Sequence, residues 1–289
     1  MTLDLLLGIL EIILIATTPL VFAAIGELVT EKSGVLNLGV EGMMLVGAVS
    51  SFVILVITGN YFLAFLISIL SGIIMSGLFA VLVLFFMSNQ IATGLALTIF
   101  GIGISSMLGK KYIGTPIQGL SPWIFVILSF ILVLFISYFF YKTKAGLILR
   151  AVGESHTSAH ALGYSVIKIR FLAIIFGGSM CALAGSYISI CYAPMWQEGM
   201  TAGRGWIALA LVVFATWRPE RILIGAYIFG GVTILQMNLQ ALGVRIPGQF
   251  FSMAPYLATI IVLVFISSNK LRIKLSAPAS LTIPFYKNK

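Results

Sequence analysis

Four charged residues, Glu27, Glu31, Lys32 and Glu41, stand within the stretch ELVTEKSGVLNLGVEGMM, between two apolar runs. A charge at the centre of a bilayer costs roughly 2.5–3.5 kcal/mol on insertion scales, so such side chains need water, a polar partner or a role in moving ions or solute. Asn37 and Glu41 are i and i+4, and on a helix beginning near Val35 they would face the same way. Asn89, Gln90 and Thr93 open another apolar run, Phe100 follows within it, and Arg204 and Trp206 open a third. Polar residues so placed either line a path for a hydrogen-bonding solute or serve structure alone. In the structural case Glu41 would bond a neighbouring helix's backbone or Arg204.

Other chemistries fail on spacing. His156 and His160 are i and i+4, a spacing that can hold zinc from one helix face, but Glu154 is the one further candidate ligand and HExxH is absent. Both histidines lie in one polar loop, which leaves no Ser/His/Asp or Cys/His set. The segment GISSMLGKK, residues 103–111, puts five residues between its glycines and lacks the Ser/Thr after lysine, so it is no phosphate-binding loop. Cys181 and Cys191 lack CxxC spacing and read as small apolar residues. No catalytic residue, metal or cofactor is expected, and the chain is not expected to be an enzyme by itself.

The elements that must position the polar residues follow from composition. Of 289 residues, 60% are apolar and only 9% charged, against about a quarter charged in a soluble domain. The fold class expected is all-α: a polytopic transmembrane bundle of about 9–10 segments in one domain, residues 1–289. Nine apolar runs stand out, at 5–26, 36–57, 61–87, 90–108, 123–141, 171–190, 206–217, 222–241 and 251–267. The third is long enough to tilt or break, and the seventh is short of the ~20 residues a spanning helix needs. A break or re-entrant segment is expected near 27–45, where Ser33-Gly34 can interrupt a helix beside a cavity.

The net charge of +9 finds its explanation in the membrane rather than in nucleic acid, because basic residues collect in cytoplasmic loops. With the 142–170 loop inside, only Lys110, Lys111, Arg204 and Arg245 of the 17 basic residues fall outside, a division of 13 to 4. The N-terminus is then outside and the C-terminus cytoplasmic. Asp4 and Glu11, with no basic n-region, argue against a cleaved signal. Gly94, Thr98, Gly101 and Ser105 share one helix face and predict a close helix contact, within the subunit rather than at a subunit interface, and Ala226 and Gly230 could make a second. In the loop KTKAGLILRAVGESHTSAHALGYSVIKIR, residues 142–170, a short helix is expected around Glu154 to Leu162. It is either a solvated connector or a docking element.

Four segments carry a family resemblance. GELVTEKSGVLNLGVEGMMLVGA resembles the N-terminal signature of importer permeases in the branched-chain amino acid and simple sugar (ribose-type) superfamily, nearest the nucleoside-type branch. RAVGESHTSAHALGYSV resembles that family's cytoplasmic loop, of the form AVGxNxxAAxxxGI, with Ser155 and His160 departing from it. AGRGWIALALVVFATWRP and IPGQFFSMAPYLATIIVLV resemble its late segments. The resemblance implies a permease subunit of an ATP-driven ABC importer in a bacterial cytoplasmic (inner) membrane, surrounded by lipid. Its implied partners are a cytoplasmic ABC ATPase, a second homologous permease and an extracytoplasmic substrate-binding lipoprotein. It implies a substrate path beside Asn37, Glu41, Asn89, Gln90, Thr93, Phe100 and Trp206, with coupling to the ATPase through Gly153, Glu154, Ala159, Ala161 and Gly163. Glu27 to Lys32 would be a wet cytoplasmic turn or a break in the membrane. Nucleosides are the expected solute, with a simple sugar, a riboflavin-like molecule or a branched-chain amino acid as alternatives. A different class, a secondary transporter with Glu41 as proton or sodium relay, would call for an internal repeat, and none is apparent. A membrane-embedded scaffold or receptor would leave the polar residues without work.

Overall fold

In hydrocarbon the backbone must satisfy its own hydrogen bonds, and for long apolar runs the helix does so. The computed structural model describes residues 3–241, 253, 257, 260, 261, 264 and 277–286. Among them are ten α-helices: α1 (Leu3–Lys32), α2 (Val40–Thr58), α3 (Tyr61–Leu84), α4 (Gln90–Gly109), α5 (Trp123–Lys142), α6 (Lys144–Glu154), α7 (His156–Ala161), α8 (Val166–Tyr187), α9 (Arg204–Phe214) and α10 (Pro219–Ala241). A π-helical turn, Ile188–Tyr192, extends α8. Among the described residues six helices are long and apolar enough to cross a membrane, which makes this a multi-pass membrane protein.

Local chemistry sets the helix ends. The Asn60 side chain accepts from Leu63 N and that of Asn89 from Ala92 N, capping α3 and α4. Gly59, at φ 65°, takes the left-handed turn that ends α2. The long third run yields α3, which stops at Leu84 before Met87 turns the chain at φ 54°.

At the centre stands α8, packed against α1, α2 and α3, while α4 packs on α2, and α9 and α10 on α1. The expected small-residue stripe is where α2 and α4 meet. Gly94, Thr98, Gly101 and Ser105 are all buried. A Cβ on Gly42 would stand 2.7 Å from Thr98 Cα, and one on Gly101 2.6 Å from Gly42 Cα, so a larger residue at either position would force the helices apart. On α10, Ala226 is fully buried and Gly230 packs against Thr17 of α1. Cys181 and Cys191 are buried free thiols.

Two expectations need correction. Glu27 to Lys32 is neither a turn nor a break, because α1 continues to Lys32 with Glu27 and Glu31 buried. The break is residues 33–39, where Gly34 at φ 92° ends the helix. As α2 starts only at Val40, Asn37 lies in the break and shares no helix face with Glu41. The helix expected around Glu154 to Leu162 is α7, begun by the extended Ser155, which accepts from Ser158 N, and a further helix, α6, precedes it in the connector. The short seventh run is α9, of 11 residues and ~16 Å long at 1.5 Å per residue. It cannot span alone. The run 251–267 lies outside the described residues apart from single positions.

Candidate functional site

Two non-helical stretches, 33–39 and 193–203, enter the helix bundle and meet at Glu41. Side chains hold the first. Leu36 N donates to Gln90 Oε1 (2.9 Å), Asn37 N to Glu27 Oε1 (3.0 Å) and Gly39 N to Asn37 Oδ1 (2.9 Å), while Thr98 Oγ1 donates to Leu38 O (2.9 Å). These bonds replace the helical ladder that Gly34 interrupts, as backbone away from water requires.

Depth can be read along α4. Gln90, its first residue, touches Leu36, and Thr98, eight residues on (98 − 90), touches Leu38 and Gly42. At 1.5 Å per residue this places Glu41 roughly 12 Å into the bundle.

There Glu41 caps a helix to which it does not belong. Its Oε1 accepts from Thr201 Oγ1 (2.5 Å) and Gly203 N (2.9 Å), and its Oε2 accepts from Gly205 N (2.6 Å). The first N–H groups of any helix lack intrahelical partners, and an acidic group at that end gains up to ~2 kcal/mol in a partly buried setting. Glu41 is thus the N-terminal anchor of α9, 6% exposed. It bonds the neighbouring segment's backbone and Thr201, and not the Arg204 side chain, which lies over the Tyr192 ring with its carbon 5.0 Å from the centroid.

The far end of α9 is held by α1. Trp217 Nε1 donates to Glu31 Oε2 (2.5 Å), and Arg221 Nη1 donates to Thr216 Oγ1 (2.6 Å). Thr216 and Trp217 both have positive φ, 52° and 53°, at the turn into α10. Glu31 and Glu41, flanking the 33–39 break, therefore clamp the two ends of one half-length helix. Glu27 is wholly buried, and among the described residues its Oε2 has no hydrogen-bond partner.

The second stretch runs from the far end of α4, where Trp196 meets Gly109 and pairs with Ile113, down to Glu41. Trp196 is fully buried against Ala48, Val49 and Phe52 and pins one end, and Thr201 pins the other. Between and just beyond them Gln197, Glu198, Gly199, Ala202 and Trp206 are exposed. Irregular backbone at membrane depth is tolerated only in protein or beside a water-filled cavity, so the face at Glu41, with Ala202 and Trp206 exposed, cannot rest against lipid tails.

The residues expected from sequence divide accordingly. Glu41 and Trp206 (38% exposed) lie together at the α9 N-terminus. Asn37 and Gln90 are buried braces of the break. Asn89 caps α4, and Thr93 exchanges a 2.8 Å hydrogen bond with Ser88, both at the end of α4 remote from α9's start. Phe100 is 48% exposed on an outer face of α4 and is not brought to the site. Of the residues expected to couple to an ATPase, Gly153 packs against Lys32 and Pro278 and Ala159 is buried, whereas Glu154, Ala161 and Gly163 are exposed. Gln197 and Glu198 were not anticipated. Their signal was APMWQEGMTAGRG, a gap with one proline and three glycines between the sixth and seventh apolar runs.

Comparison with known proteins gives the family. The profile of the branched-chain amino acid transport system / permease component family matches residues 9–266. A putative glucose ABC transporter permease of Haloferax volcanii is 36% identical over 315 residues, covering 95% of this chain and 96% of its own. The guanosine ABC transporter permease of Bacillus subtilis is 30% identical (97% and 98% covered), and the nucleoside ABC transporter permease of Lactococcus lactis is 30% identical (86% and 89%). No solved structure matches. A family profile over most of the chain, with two broken segments meeting inside a helical bundle, leads to one conclusion: the chain belongs to the branched-chain amino acid transport system / permease component family.

Proposed function

We propose that this chain, as one transmembrane domain over residues 1–289, is the solute-conducting permease of an ATP-driven nucleoside importer. The observation that carries the reading is the meeting of the 33–39 break with the α9 N-terminus at Glu41. In transporters, half-helices with irregular approaches commonly form the solute site. Trp206 supplies a flat aromatic surface at that depth, and Gln197 and Glu198 supply amide and carboxyl groups nearer the end of the bundle where α4 stops, which suits a neutral polar solute with a flat heterocycle. In this reading Trp206 contacts the solute, while Glu41, Asn37 and Gln90 hold the broken segments in place. Asn89 and Thr93 lie at one mouth of the path.

A separate cytoplasmic ATPase supplies hydrolysis, and the α6–α7 connector docks to it through the exposed edge Ala161-Leu162-Gly163. That places the connector and C-terminus inside and the N-terminus outside, in a cell membrane, as the 13 to 4 division of basic residues favours. A second homologous permease covers the exposed irregular face, and an extracytoplasmic binding lipoprotein delivers solute. The nucleoside assignment draws on the guanosine and nucleoside relatives. The glucose relative, at higher identity, supports a sugar as the second reading.

Competition decides the solute. Uptake of labelled guanosine by the reconstituted complex should fall when other nucleosides are added in excess and should persist with glucose, ribose or leucine. Glucose or ribose uptake without nucleoside uptake would remove the nucleoside assignment and leave the permease reading standing.

A further inference from the structure

Arg170, one turn into α8, is 1% exposed and reaches in two directions. Its Nε donates to Ser33 O at 3.1 Å, and its Nη1 donates to Ile283 O at 3.0 Å. Ser33 is the first residue of the break that leads to Glu41. Ile283 belongs to the C-terminal segment 277–286. Gly34 makes room for the guanidinium, since a Cβ there would stand 2.7 Å from Arg170 Nη2.

The same C-terminal segment grips the connector. Ser280 N donates to Gly153 O (2.8 Å), Ser280 Oγ donates to Glu154 O (3.2 Å), and His156 N donates to Ser280 Oγ (3.4 Å). These bonds span the joint between α6 and α7. Phe285, 8% exposed, packs edge-on against both imidazoles, 5.5 Å from His156 and 5.2 Å from His160 between ring centroids. Val152, Ala159 and Val166 complete that cluster. The connector, the C-terminal segment, Arg170 and the break thus form one continuous bonded chain.

We propose that Arg170 and the segment 277–286 transmit displacement of the α6–α7 connector to the 33–39 break, which makes Arg170 a positioning residue for transport. The inference rests on the reading above, in which the connector docks to an ATPase. A planar guanidinium holds two acceptors in fixed relative directions, which lysine's single ammonium does not. Gly153 also touches Lys32 directly, but a van der Waals contact can slide where charge-assisted hydrogen bonds hold position. The break carries Asn37 and Gly39 toward Glu41, so a shift at Ser33 is delivered to the α9 N-terminus.

Two measurements test the link, on Arg170→Gln, Arg170→Lys and Ser280→Pro. Ser280→Pro removes the Ser280 N–H and hydroxyl while leaving Arg170 in place. In the full-length permease in nanodiscs, hydrogen exchange of residues 33–39 should rise about tenfold in all three variants, because the break loses its anchor in the Arg170 variants and that anchor loses its own hold on the connector in Ser280→Pro. In the reconstituted complex, ATP hydrolysis should stay within about twofold of wild type while uptake falls about fivefold or more, so that more ATP is spent per solute. A staple with a purely structural role would instead lower both activities in the same proportion, and that outcome would overturn the proposal. So would unchanged exchange at 33–39 in Ser280→Pro, or full restoration of the ATP-to-solute ratio by Arg170→Lys. A wild-type complex without ATP-dependent uptake counts against the permease reading, and exchange in the permease alone still decides the link.

Discussion

Replacing Glu41 by Ala removes the acceptor of three hydrogen bonds at once, from Thr201 Oγ1, Gly203 N and Gly205 N. Two of these donors are backbone N–H groups at the start of α9 with no helical partner to fall back on. Leaving a buried donor unpaired costs about 1–3 kcal/mol. Ala202 and Trp206 are exposed nearby, so water can reach part of the site, and the total loss is about 3–5 kcal/mol rather than the full sum. Glu41→Gln keeps one acceptor oxygen and should lose about 1–3 kcal/mol. Thermal unfolding of the purified permease, followed by tryptophan fluorescence, should show midpoints falling in the order wild type, Gln, Ala, with the Ala variant lower by roughly 10 °C. Gly205→Ala tests the same contact from the other side, because a Cβ there would stand 2.7 Å from Glu41 Oε2. It should also destabilise. Should Glu41→Ala melt within about 2 °C of wild type, the anchoring role is wrong. An ion relay at Glu41 would give the opposite pattern to that expected here: stability spared by Gln, transport abolished.

Three further outcomes follow from the same contacts. Gly101→Leu should separate α2 from α4 and cost about 3 kcal/mol or more by overpacking, whereas Gly103→Leu on the exposed face of the same helix should be nearly neutral; midpoints of thermal unfolding compare them. Gln90→Ala leaves Leu36 N without its acceptor and should cost about 1–3 kcal/mol by the same assay, against about 1 kcal/mol for Asn89→Ala, which removes only a helix cap. Burial and the Arg170 charge hold the His156 imidazole below its usual 6.5, so the folded state resists a proton that the unfolded chain accepts. Its contribution is therefore complete above about pH 6.5 and is lost as pH falls below it. Exchange in residues 277–286, corrected for intrinsic rates, should rise between pH 7.5 and pH 5.5, and His156→Gln should remove most of that rise.

Much of the bundle was legible because lipid imposes strong rules on a sequence. Uninterrupted apolar runs bounded by Asn60, Asn89 and Pro122 could only be helices, and the stripe from Gly94 to Ser105 could only be a close contact. The site was legible in its polar residues but not in their partners. Glu31 bonds Trp217, 186 positions away, and Glu41 bonds Thr201, 160 positions away. No local pattern carries such pairings, so Glu27 and Glu31 read as a wet turn or a break although they are buried in α1. The start of α2 was misplaced for a related reason. Leu36 to Gly39 look able to form a helix, but Gln90, Glu27 and Thr98 from outside, and the Asn37 side chain from within, satisfy their backbone. The Arg170 link was hidden likewise, since Ser33 and Ile283 lie 137 and 113 residues from it.

What drives solute across the membrane is the central question, and one comparison in proteoliposomes answers it. The permease is reconstituted with its ATPase, second permease and binding protein, and labelled guanosine uptake is followed with ATP supplied to the ATPase side or with a proton or sodium gradient and no ATP. Uptake should require ATP and stop when the ATPase's nucleotide-binding lysine is replaced. Uptake driven by an ion gradient in the absence of ATP would contradict the importer reading and favour an ion-coupled transporter.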